Sequence, residues 1–244
     1  MRNIVVIFAG GVGTRMKNTD KPKQFLRIDG KPIIIHTLEK FETCTMIDAI
    51  AVACNKDYMD NLNELLIEFD IKKVKWVVPG GETGQLSIFN GLDVVYNDKN
   101  VCEDAVVLIH DGVRPVIDNQ LILENIVTAR TYGNAVTVVN ATETIVVSKD
   151  KRNMDDLLER DVIYFAKAPQ TFFLKEIHSV HLKEMESDSI KNVDSCSMMF
   201  KYGHKLNFVK GKSSNIKITT YEDYYIFKAL YELEQKRKMD DMLT

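Results

Sequence analysis

The sequence predicts an α/β fold on a mostly parallel sheet, because short apolar runs alternate with longer amphipathic runs as far as Asn140. The apolar runs are nearly continuous, as in strands that helices cover on both faces. They predict strands over residues 4–8, 49–54, 74–78, 105–110 and 135–140. The amphipathic runs between them predict helices over residues 33–41, 58–69, 86–96 and 119–132. Repeated strand–helix units imply parallel strands joined by right-handed crossovers.

The alternation breaks after Asn140, where the sequence predicts a protruding hairpin over about residues 141–167, here called the β-arm. Its two β-like pieces, residues 143–148 and 162–166, flank a charged turn. Beyond the β-arm the pattern predicts helices over 174–184 and 194–202, a strand over 206–209 and a terminal helix from about Tyr221. Because no internal repeat or linker interrupts the chain, residues 1–244 are predicted to form a single domain.

The composition is that of a globular protein with a core, since 45% of the 244 residues are hydrophobic and 27% are charged. A net charge of −3 argues against a nucleic-acid partner or an anionic membrane surface, so a cationic cluster would serve a small anion. Apolar runs stay far below the roughly 20 residues of a membrane span. An early strand leaves no room for a signal peptide and the four cysteines form no CxxC pair, so we expect a reduced, cytoplasmic protein.

The segment AGGVGTRM follows the first predicted strand, and KPKQF follows shortly after it. A strand that ends in a Gly-rich turn carrying Arg15, with Lys21 and Lys23 beyond, builds a cradle for several phosphates. The segment lacks the P-loop pattern, and no acidic residue ends the second strand near Cys54 to hold a dinucleotide ribose. We therefore predict a nucleoside triphosphate ligand, with a tight structural turn as the alternative.

Ligands bind at the carboxyl ends of the strands in an open α/β sheet, so the segments that follow the predicted strands matter most. GGETGQLS follows the third strand, HDGVRP the fourth and the β-arm the fifth. Together with AGGVGTRM, these segments are expected to face one crevice.

Five motifs occur in order along most of the chain: AGGVGTRM, KPKQF, HDGVRP, APQTF and SNIKITTYED. Together they resemble the sugar-alcohol-phosphate cytidylyltransferases, the family of 2-C-methyl-D-erythritol 4-phosphate cytidylyltransferase and ribitol-5-phosphate cytidylyltransferase. The resemblance implies a Rossmann-like nucleotidyltransferase fold whose β-arm embraces the partner of a homodimer. It also implies a reaction of CTP with a polyol phosphate that yields a CDP-polyol and pyrophosphate.

Three cations match catalytic positions of this family: Arg15 and Lys23 on the triphosphate, and Lys217 near the α-phosphate. Attack of a phosphate oxygen on the α-phosphorus gathers negative charge, so positioning and fixed cations should supply most of the catalysis. Taken alone, each of these side chains could be an ordinary solvated charge. Lys21 lies off the family's position and is interpreted as a surface or secondary contact.

The resemblance implies that the nucleotide binds against the two Gly-rich segments and the start of HDGVRP. The nucleotide-binding residues carried over are Ala9, Gly10, Gly11, Gly13, Gly81, Glu82, Ser87, Asp111 and Gly112. A small pocket can reject a purine by size, while a Ser hydroxyl and backbone groups read the pyrimidine edge. The alternative for Gly81 and Ser87 is a plain turn and helix start.

The acceptor is expected to contact Asp111 and Arg114 of HDGVRP and Thr144 and Arg160 of the β-arm. By resemblance, Arg160 reaches the acceptor phosphate of the neighbouring subunit, where a bidentate guanidinium suits a phosphate monoester. Read from the turn DDLLERD alone, Arg160 is one more surface charge. Mg²⁺ is expected to be held mainly by the CTP phosphates, with Asp111 helping through water, and no side chain is predicted as a dedicated metal ligand.

The histidines are interpreted as structural or solvated rather than catalytic. His110 is expected to be structural. His178 and His181 are expected on a solvated helix face rather than in a metal site, because no third ligand is suggested.

The choice of polyol rests on small side-chain differences. AGG in place of AAG, Val113 where the erythritol enzymes typically carry Ala, and the lack of an acidic residue after Asp194 resemble the ribitol branch. We therefore favour D-ribitol 5-phosphate, as for a cell-wall or capsule polymer precursor. The alternative is 2-C-methyl-D-erythritol 4-phosphate of isoprenoid-precursor synthesis, and another capsule or teichoic-acid-like polyol phosphate stays open.

Two positions depart from the family pattern. Gly84 stands where an Arg is usual, and Ala168 where a Thr is usual, so Lys167 or Gln85 would have to compensate or the acceptor differs slightly.

Two other classes of protein stay open as well. An NAD(P)-dependent enzyme would need a ribose-reading residue after the second strand, and a catalytically silent binding protein would have no need of the three cations.

Overall fold

The computed structural model describes residues 2–11, 21–186 and 194–243. Its strands are β1 Asn3–Ala9, β2 Arg27–Ile28, β3 Lys31–Pro32, β4 Ala49–Cys54, β5 Val74–Pro79, β6 Val106–Asp111, β7 Asn134–Asn140, β8 Ile145–Val147, β9 Asp156–Leu158, β10 Tyr164–Phe173 and β11 Phe208–Lys210. Its α-helices are α1 Ile33–Glu42, α2 Met59–Glu68, α3 Gly84–Tyr96, α4 Asn119–Tyr132, α5 Leu174–Met185, α6 Ser195–Lys201 and α7 Tyr221–Leu243. Short 3₁₀ turns cover Lys23–Phe25, Lys56–Tyr58 and Arg160–Val162.

The central sheet has seven strands in the order β11-β7-β10-β6-β1-β4-β5. β1 pairs in parallel with β4 and β6, β4 pairs in parallel with β5, and β7 pairs in parallel with β11. Within this sheet β10 runs antiparallel to both of its neighbours, β6 and β7. The mostly parallel α/β fold predicted from the alternating pattern is confirmed.

Helices cover the sheet on both faces, and the continuous apolar run of β1 therefore serves two cores. Val5 and Ile7 pack into a core with α1, α2 and α4, whereas Ile4 and Val6 pack into a second core with α3, α5 and α6. Successive side chains of a strand point to opposite faces, which explains this division. A third apolar cluster, which includes Phe227, attaches α7 to the rest of the chain.

Local capping signals fix the helices that start at the carboxyl edge of the sheet. Asp118 Oδ1 accepts a hydrogen bond of 2.9 Å from the N–H of Leu121 at the start of α4, and α4 ends at Gly133 with a left-handed φ of +94°. Thr83 Oγ1 accepts from the N–H of Leu86 at 3.1 Å and caps α3. These caps start each helix soon after its strand and leave short loops at the predicted ligand edge.

The β-arm pairs differently from its prediction. β8 pairs with β9, Ile145 opposite Leu158, so the prediction that residues 162–166 form the second strand of the hairpin is wrong. Tyr164 instead lies opposite Asn140 in the central sheet, at the start of β10. The apolar side chains of residues 162–166 suited a strand, but the partner of that strand is β7 rather than β8.

The sequence pattern does not predict β10 beyond its first residues. Pro169 lies inside this strand, and proline in a strand normally marks an edge or argues against a strand. The pairing of β10 with β7 shifts register between Ala166 and Gln170, so the proline falls where the ladder is interrupted. Among the described residues, no helix is both long and apolar enough to cross a membrane.

Candidate active site

The first Gly-rich segment and the loop after β5 touch each other at the carboxyl edge of the sheet. A Cβ placed on Gly80 would lie 2.7 Å from the Cα of Gly10, and a Cβ placed on Gly10 would lie 2.7 Å from Oγ of Ser87. Neither contact leaves room for a side chain without movement. The structure therefore brings together Gly10 and the Gly81–Ser87 loop, as the sequence predicts.

Ser87 shapes this loop with its hydroxyl. Its Oγ accepts a hydrogen bond of 3.0 Å from the N–H of Gly81 and donates one of 3.0 Å to the carbonyl of Thr83. The hydroxyl is thus used within the loop, and the Glu82 side chain is exposed. The hydroxyl fixes the conformation of the loop, and the contact of Ser87 with a base stays a prediction.

Gln24 ties the KPKQF segment to the first Gly-rich segment. The residue is 1% exposed, and its Nε2 donates to the carbonyl of Ala9 at 2.8 Å and to that of Gly11 at 3.1 Å. Lys23, a predicted catalytic residue, directly precedes Gln24 and is half-buried. Sequence reasoning missed Gln24, because a lone polar residue in a charged segment gives no signal that its amide is buried.

Two of the predicted residues on the first loop, Gly13 and Arg15, lie outside the described residues. The predicted contact of Arg15 with the triphosphate therefore stays a prediction.

Asp111, at the end of β6, is the centre of a buried ion-pair cluster. Its Oδ1 lies 2.6 Å from Nζ of Lys217, and its Oδ2 lies 3.0 Å from Nε of Arg114. Arg114 also donates to the carbonyl of Asn215 at 2.7 Å, and the Lys217 ammonium lies 5.6 Å from the centre of the Phe8 ring. The structure thus joins a predicted catalytic lysine to two predicted acceptor-site residues from distant parts of the chain.

The two cations keep Asp111 charged in spite of its burial. Burial raises the pKa of Asp111, but Arg114 and Lys217 lower it by more, so the pKa lies below its ordinary value. The turn that follows packs against the end of β1, since a Cβ on Gly112 would lie 2.9 Å from Cβ of Ala9. Two further predicted nucleotide-binding residues are therefore in contact.

A cavity of about 250 Å³ opens beside this cluster and is here called the acceptor cavity, after the predicted acceptor residues Asp111 and Arg114 that line it. Asp111, Arg114 and Lys217 line it together with Lys167 and Ala168 of β10. The side chain of Lys217 is 42% exposed, so its ammonium can contact a ligand as well as Asp111. Burial, and then the charge of Arg114, lower the pKa of Lys167.

A larger cavity of about 410 Å³ lies between α4 and α7, but none of the predicted site residues line it. Its wall mixes basic and acidic side chains, including the ion pairs Lys40–Glu234 and Lys212–Asp118. The acceptor cavity is therefore the better candidate for the chemistry, in spite of its smaller volume.

Thr144 and Arg160 are exposed on the β-arm. Arg160 donates from Nη1 to the carbonyl of Thr142 at 3.5 Å, and its Nε lies 3.8 Å from Oδ1 of Asp161. These contacts stay within the β-arm, and neither predicted residue lines the acceptor cavity of the described chain. Their contact with a neighbouring subunit stays a prediction.

The expectation that His178 and His181 lie on a solvated helix face is wrong. Both are buried where α5 packs on α3: His178 Nε2 lies 3.0 Å from Oδ1 of Asp93, and its ring stacks on Tyr96 at 4.1 Å. Burial lowers the pKa of His181 to about 4. Apolar and aromatic side chains of α3 cover this face. The sequence did not indicate that the face is buried, because α5 also carries several charged residues.

His110 is fully buried at the end of β6, which agrees with its predicted structural role. Its Nε2 lies 3.0 Å from the carbonyl of Arg114, and its ring meets Phe41 edge to face at 5.1 Å. Burial lowers the pKa of His110 to about 4, so the ring is neutral at pH 7.

Two Gly-rich loops in contact at the carboxyl ends of parallel strands, beside a cavity with fixed cations, are typical of α/β enzymes that bind nucleotides. A family model described as 2-C-methyl-D-erythritol 4-phosphate cytidylyltransferase (IspD) matches residues 3–232. The chain therefore belongs to the IspD family of cytidylyltransferases, which are nucleotidyltransferases.

Relatives of known name agree with this family. A ribitol-5-phosphate cytidylyltransferase from Vibrio parahaemolyticus is 48% identical over 233 residues, which cover 96% of this chain and 97% of the relative. One from Streptococcus agalactiae is 46% identical over 242 residues, 99% of this chain and 100% of the relative. The crystal structure of 4-diphosphocytidyl-2C-methyl-D-erythritol synthase from Anaerococcus prevotii matches with a TM-score of 0.81 at 29% identity, over 95% of this chain and 96% of that chain.

Proposed function

We propose that the protein transfers the cytidylyl group of CTP to D-ribitol 5-phosphate, giving CDP-ribitol and pyrophosphate. Relatives named ribitol-5-phosphate cytidylyltransferase are 45–48% identical along nearly the whole chain, whereas the erythritol-type structure described above is 29% identical. The observation that carries the proposal is the cluster of Asp111, Arg114 and Lys217. It fixes a cation beside the two Gly-rich loops and the acceptor cavity.

In the proposed reaction, an oxygen of the acceptor phosphate attacks the α-phosphorus of CTP. The new oxygen–phosphorus bond forms as the bond to the bridging oxygen breaks, and pyrophosphate leaves with that electron pair. A phosphate monoester has a second pKa of about 6 and is largely dianionic at neutral pH, so no general base is needed. Lys217, with Lys23 and Arg15, would stabilise the charge on the five-coordinate phosphorus.

Asp111 positions Lys217 for this role. The contact of 2.6 Å holds one side of the ammonium, while the ring of Phe8 lies 5.6 Å away. An ammonium has three N–H donors, so it can bind Asp111 and a phosphate oxygen at once. Arg114, by contrast, is buried and already donates to Asp111 and Asn215, so we assign it chiefly to holding this cluster together.

Mg²⁺ is proposed as the counter-ion of CTP. In the described ranges, no three His, Cys, Asp or Glu side chains lie together as a metal site, and both oxygens of Asp111 are paired with cations. The proposed ion would keep several waters and bind mainly through phosphate oxygens, as Mg²⁺ often does. Such an ion supplies charge neutralisation on the triphosphate.

A homodimer through the β-arm is part of the proposal. Val146 and Leu157 lie opposite each other in the β-arm and are each more than half exposed, as is Val162, and exposed apolar pairs of this kind are typical of protein contacts. A second copy that covers them would bring Arg160 and Thr144 to the acceptor phosphate.

The four unpaired cysteines are consistent with the cytoplasm as the proposed location.

The direct test is pyrophosphate release from CTP and Mg²⁺ with D-ribitol 5-phosphate as acceptor. We expect turnover that needs both substrates, with CDP-ribitol identified by mass spectrometry. UTP, ATP and GTP serve as nucleotide controls, and 2-C-methyl-D-erythritol 4-phosphate serves as the alternative acceptor. Faster turnover of the erythritol phosphate would replace our assignment, and no turnover of either acceptor with any nucleotide would reject it.

A further inference from the structure

Part of the wall of the acceptor cavity is polar, and the proposed reaction assigns no role to the residues that form it. Gln170 of β10 and Asp194 and Ser195 at the start of α6, here called the polar wall, line the same cavity as Asp111 and Lys217. Gln170 lies opposite Ile109 in the sheet, two residues before Asp111. At the usual rise of a strand, the polar wall therefore lies about 7 Å along β6 from the cluster around Asp111.

Hydrogen bonds hold two members of the polar wall in fixed orientations. Gln170 donates from Nε2 to Oδ2 of Asp194 at 3.0 Å and accepts at Oε1 from the N–H of Cys196 at 2.8 Å. Oδ1 of Asp194 accepts from the N–H of Ser197 at 2.9 Å and from its hydroxyl at 2.7 Å. The amide and the carboxylate therefore cannot rotate without loss of several hydrogen bonds.

Ser195 differs from its neighbours, because its hydroxyl makes no hydrogen bond to another described residue. The residue is 1% exposed and lines the cavity, and its Oγ has no hydrogen-bond partner in the described structure. A buried hydroxyl without a partner is destabilising, and such groups in folded proteins call for a specific explanation. A ligand hydroxyl that reached Oγ from the cavity would supply that partner.

The charge of the polar wall indicates which part of a ligand it can hold. Asp194 carries a negative charge beside Ser195, so it repels a phosphate and accepts hydrogen bonds from hydroxyls. Lys217, Lys167 and Arg114 supply the positive charge of the same cavity. The other surfaces near the polar wall are apolar, namely Ile88, Ile109 and Ala166, which suits the C–H groups of a carbon chain.

We propose that the Ser195 hydroxyl, placed beside Asp194 and Gln170, hydrogen-bonds a hydroxyl of the acceptor's carbon chain and so helps to select the polyol. The phosphate of the acceptor then lies toward Lys217 and its hydroxyls toward the polar wall. This assignment rests on the proposed function, because it names the part of the acceptor that this cavity reads.

The test combines Ser195→Ala with D-ribitol 5-phosphate and a set of analogues that each lack one hydroxyl. With D-ribitol 5-phosphate, we expect kcat/KM for the acceptor to fall about three- to tenfold, as for a lost hydrogen bond, while KM for CTP is unchanged. With the analogue that lacks the bonded hydroxyl, wild type and Ser195→Ala should be equally efficient. The other analogues should show the full loss.

The matched control is Ser197→Ala, an exposed residue one position beyond Cys196 whose hydroxyl contacts Asp194. A purely structural change should lower kcat/KM for all acceptors alike, and we expect that uniform pattern from Ser197→Ala. The same uniform pattern from Ser195→Ala, or no loss at all, would overturn the assignment. Should Ser195→Ala not fold, Ser195→Cys, with its weak S–H donor, takes its place in the same comparison.

Failure of this inference is distinguishable from failure of the proposed function. Wild-type protein that does not turn over D-ribitol 5-phosphate contradicts the proposed function and, with it, the role of Ser195. Wild-type turnover together with an unchanged Ser195→Ala variant contradicts the role of Ser195 alone.

Discussion

Asp111 receives two cations that are distant in sequence and differ in their freedom. Arg114 is buried and bonded on two sides, whereas Lys217 keeps an exposed face toward the acceptor cavity. A buried carboxylate is tolerated only when it is paired, so Asp111 needs at least one of them for stability alone. The exposed partner is the one that is available to a substrate.

Lys217→Ala should lower kcat by at least about tenfold, because an ammonium that meets the charge of the transition state is lost. Steady-state pyrophosphate release measures this. Lys212→Ala is the matched control, since Lys212 pairs with Asp118 at 2.6 Å but is 70% exposed. We expect kcat of Lys212→Ala to stay within about twofold of wild type, because exposed ion pairs contribute little. Equal kcat values for the two variants would contradict the role of Lys217.

Some of these residues could be predicted from the local sequence, whereas others depend on contacts that only the tertiary structure shows. HDGVRP could be placed from its position after an apolar strand, and Asp111 lies there. No periodicity or spacing indicates that Lys217 returns to Asp111, so only the resemblance of SNIKITT to a family motif pointed to it. Gln24 and Ser195 were not found, because their significance lies in burial and in hydrogen-bond partners that only tertiary structure sets.

Among the helices of the described chain, α4 was predicted best. The predicted bounds of α4, residues 119–132, agree with the structure, because Asp118 caps its start and Gly133 ends it. β10 was mostly missed, since its sequence carries a proline and its partners β6 and β7 come from earlier in the chain. Strand pairing is a long-range property, which also explains the wrong partner for the β-arm hairpin.

The packing of α5 on α3 should make folding sensitive to mild acid through His181. Burial holds the pKa of His181 at about 4, whereas an unfolded His binds a proton below about pH 6.5. The unfolded state thus takes up the proton first, so stability is complete above pH 6.5 and is lost as the pH falls toward 4. Between pH 7 and pH 5 this histidine should lower the free energy of unfolding by about 2 kcal/mol.

Urea unfolding of wild type and His181→Leu at pH 7 and pH 5 measures this contribution. The variant should lose less stability on going to pH 5, whatever its stability at pH 7. Lys183→Gln, an exposed change on the same helix, should keep the wild-type difference. An identical pH dependence in wild type and His181→Leu would show that His181 is not the responsible group.

For the assembled protein, the question is whether one chain contains a complete site. The Asp111 cluster and the Gly-rich loops lie together in one chain, but Arg160 contacts residues of its own β-arm. The proposed homodimer would cover the exposed apolar side chains of that arm. A shared site would then combine Arg160 of one subunit with Lys217 of the other.

Mixing two impaired variants tests this arrangement. Arg160→Ala and Lys217→Ala should each have low turnover alone. After co-refolding or subunit exchange, half of the dimers are mixed and each has one intact site, so turnover should recover to roughly a quarter of wild type. Mixing Lys217→Ala with Lys23→Ala is the control. In the proposed site both lysines come from the same chain, so no mixed dimer regains an intact site. If Arg160 acts within its own chain, the Arg160→Ala and Lys217→Ala mixture should stay as inactive as the control mixture.

The amide of Gln24 also determines whether a ligand meets the N–H or the C=O side of the peptide groups at the start of the first loop. In a trans peptide the N–H points opposite to the C=O, so a carbonyl of Ala9 turned toward Gln24 directs the N–H of Gly10 the other way. With the oxygens of Ala9 and Gly11 drawn inward, their partial negative charges are kept from the approach of a polyanion. A single uncharged side chain thereby sets the electrostatic polarity of the peptide groups at residues 9–11.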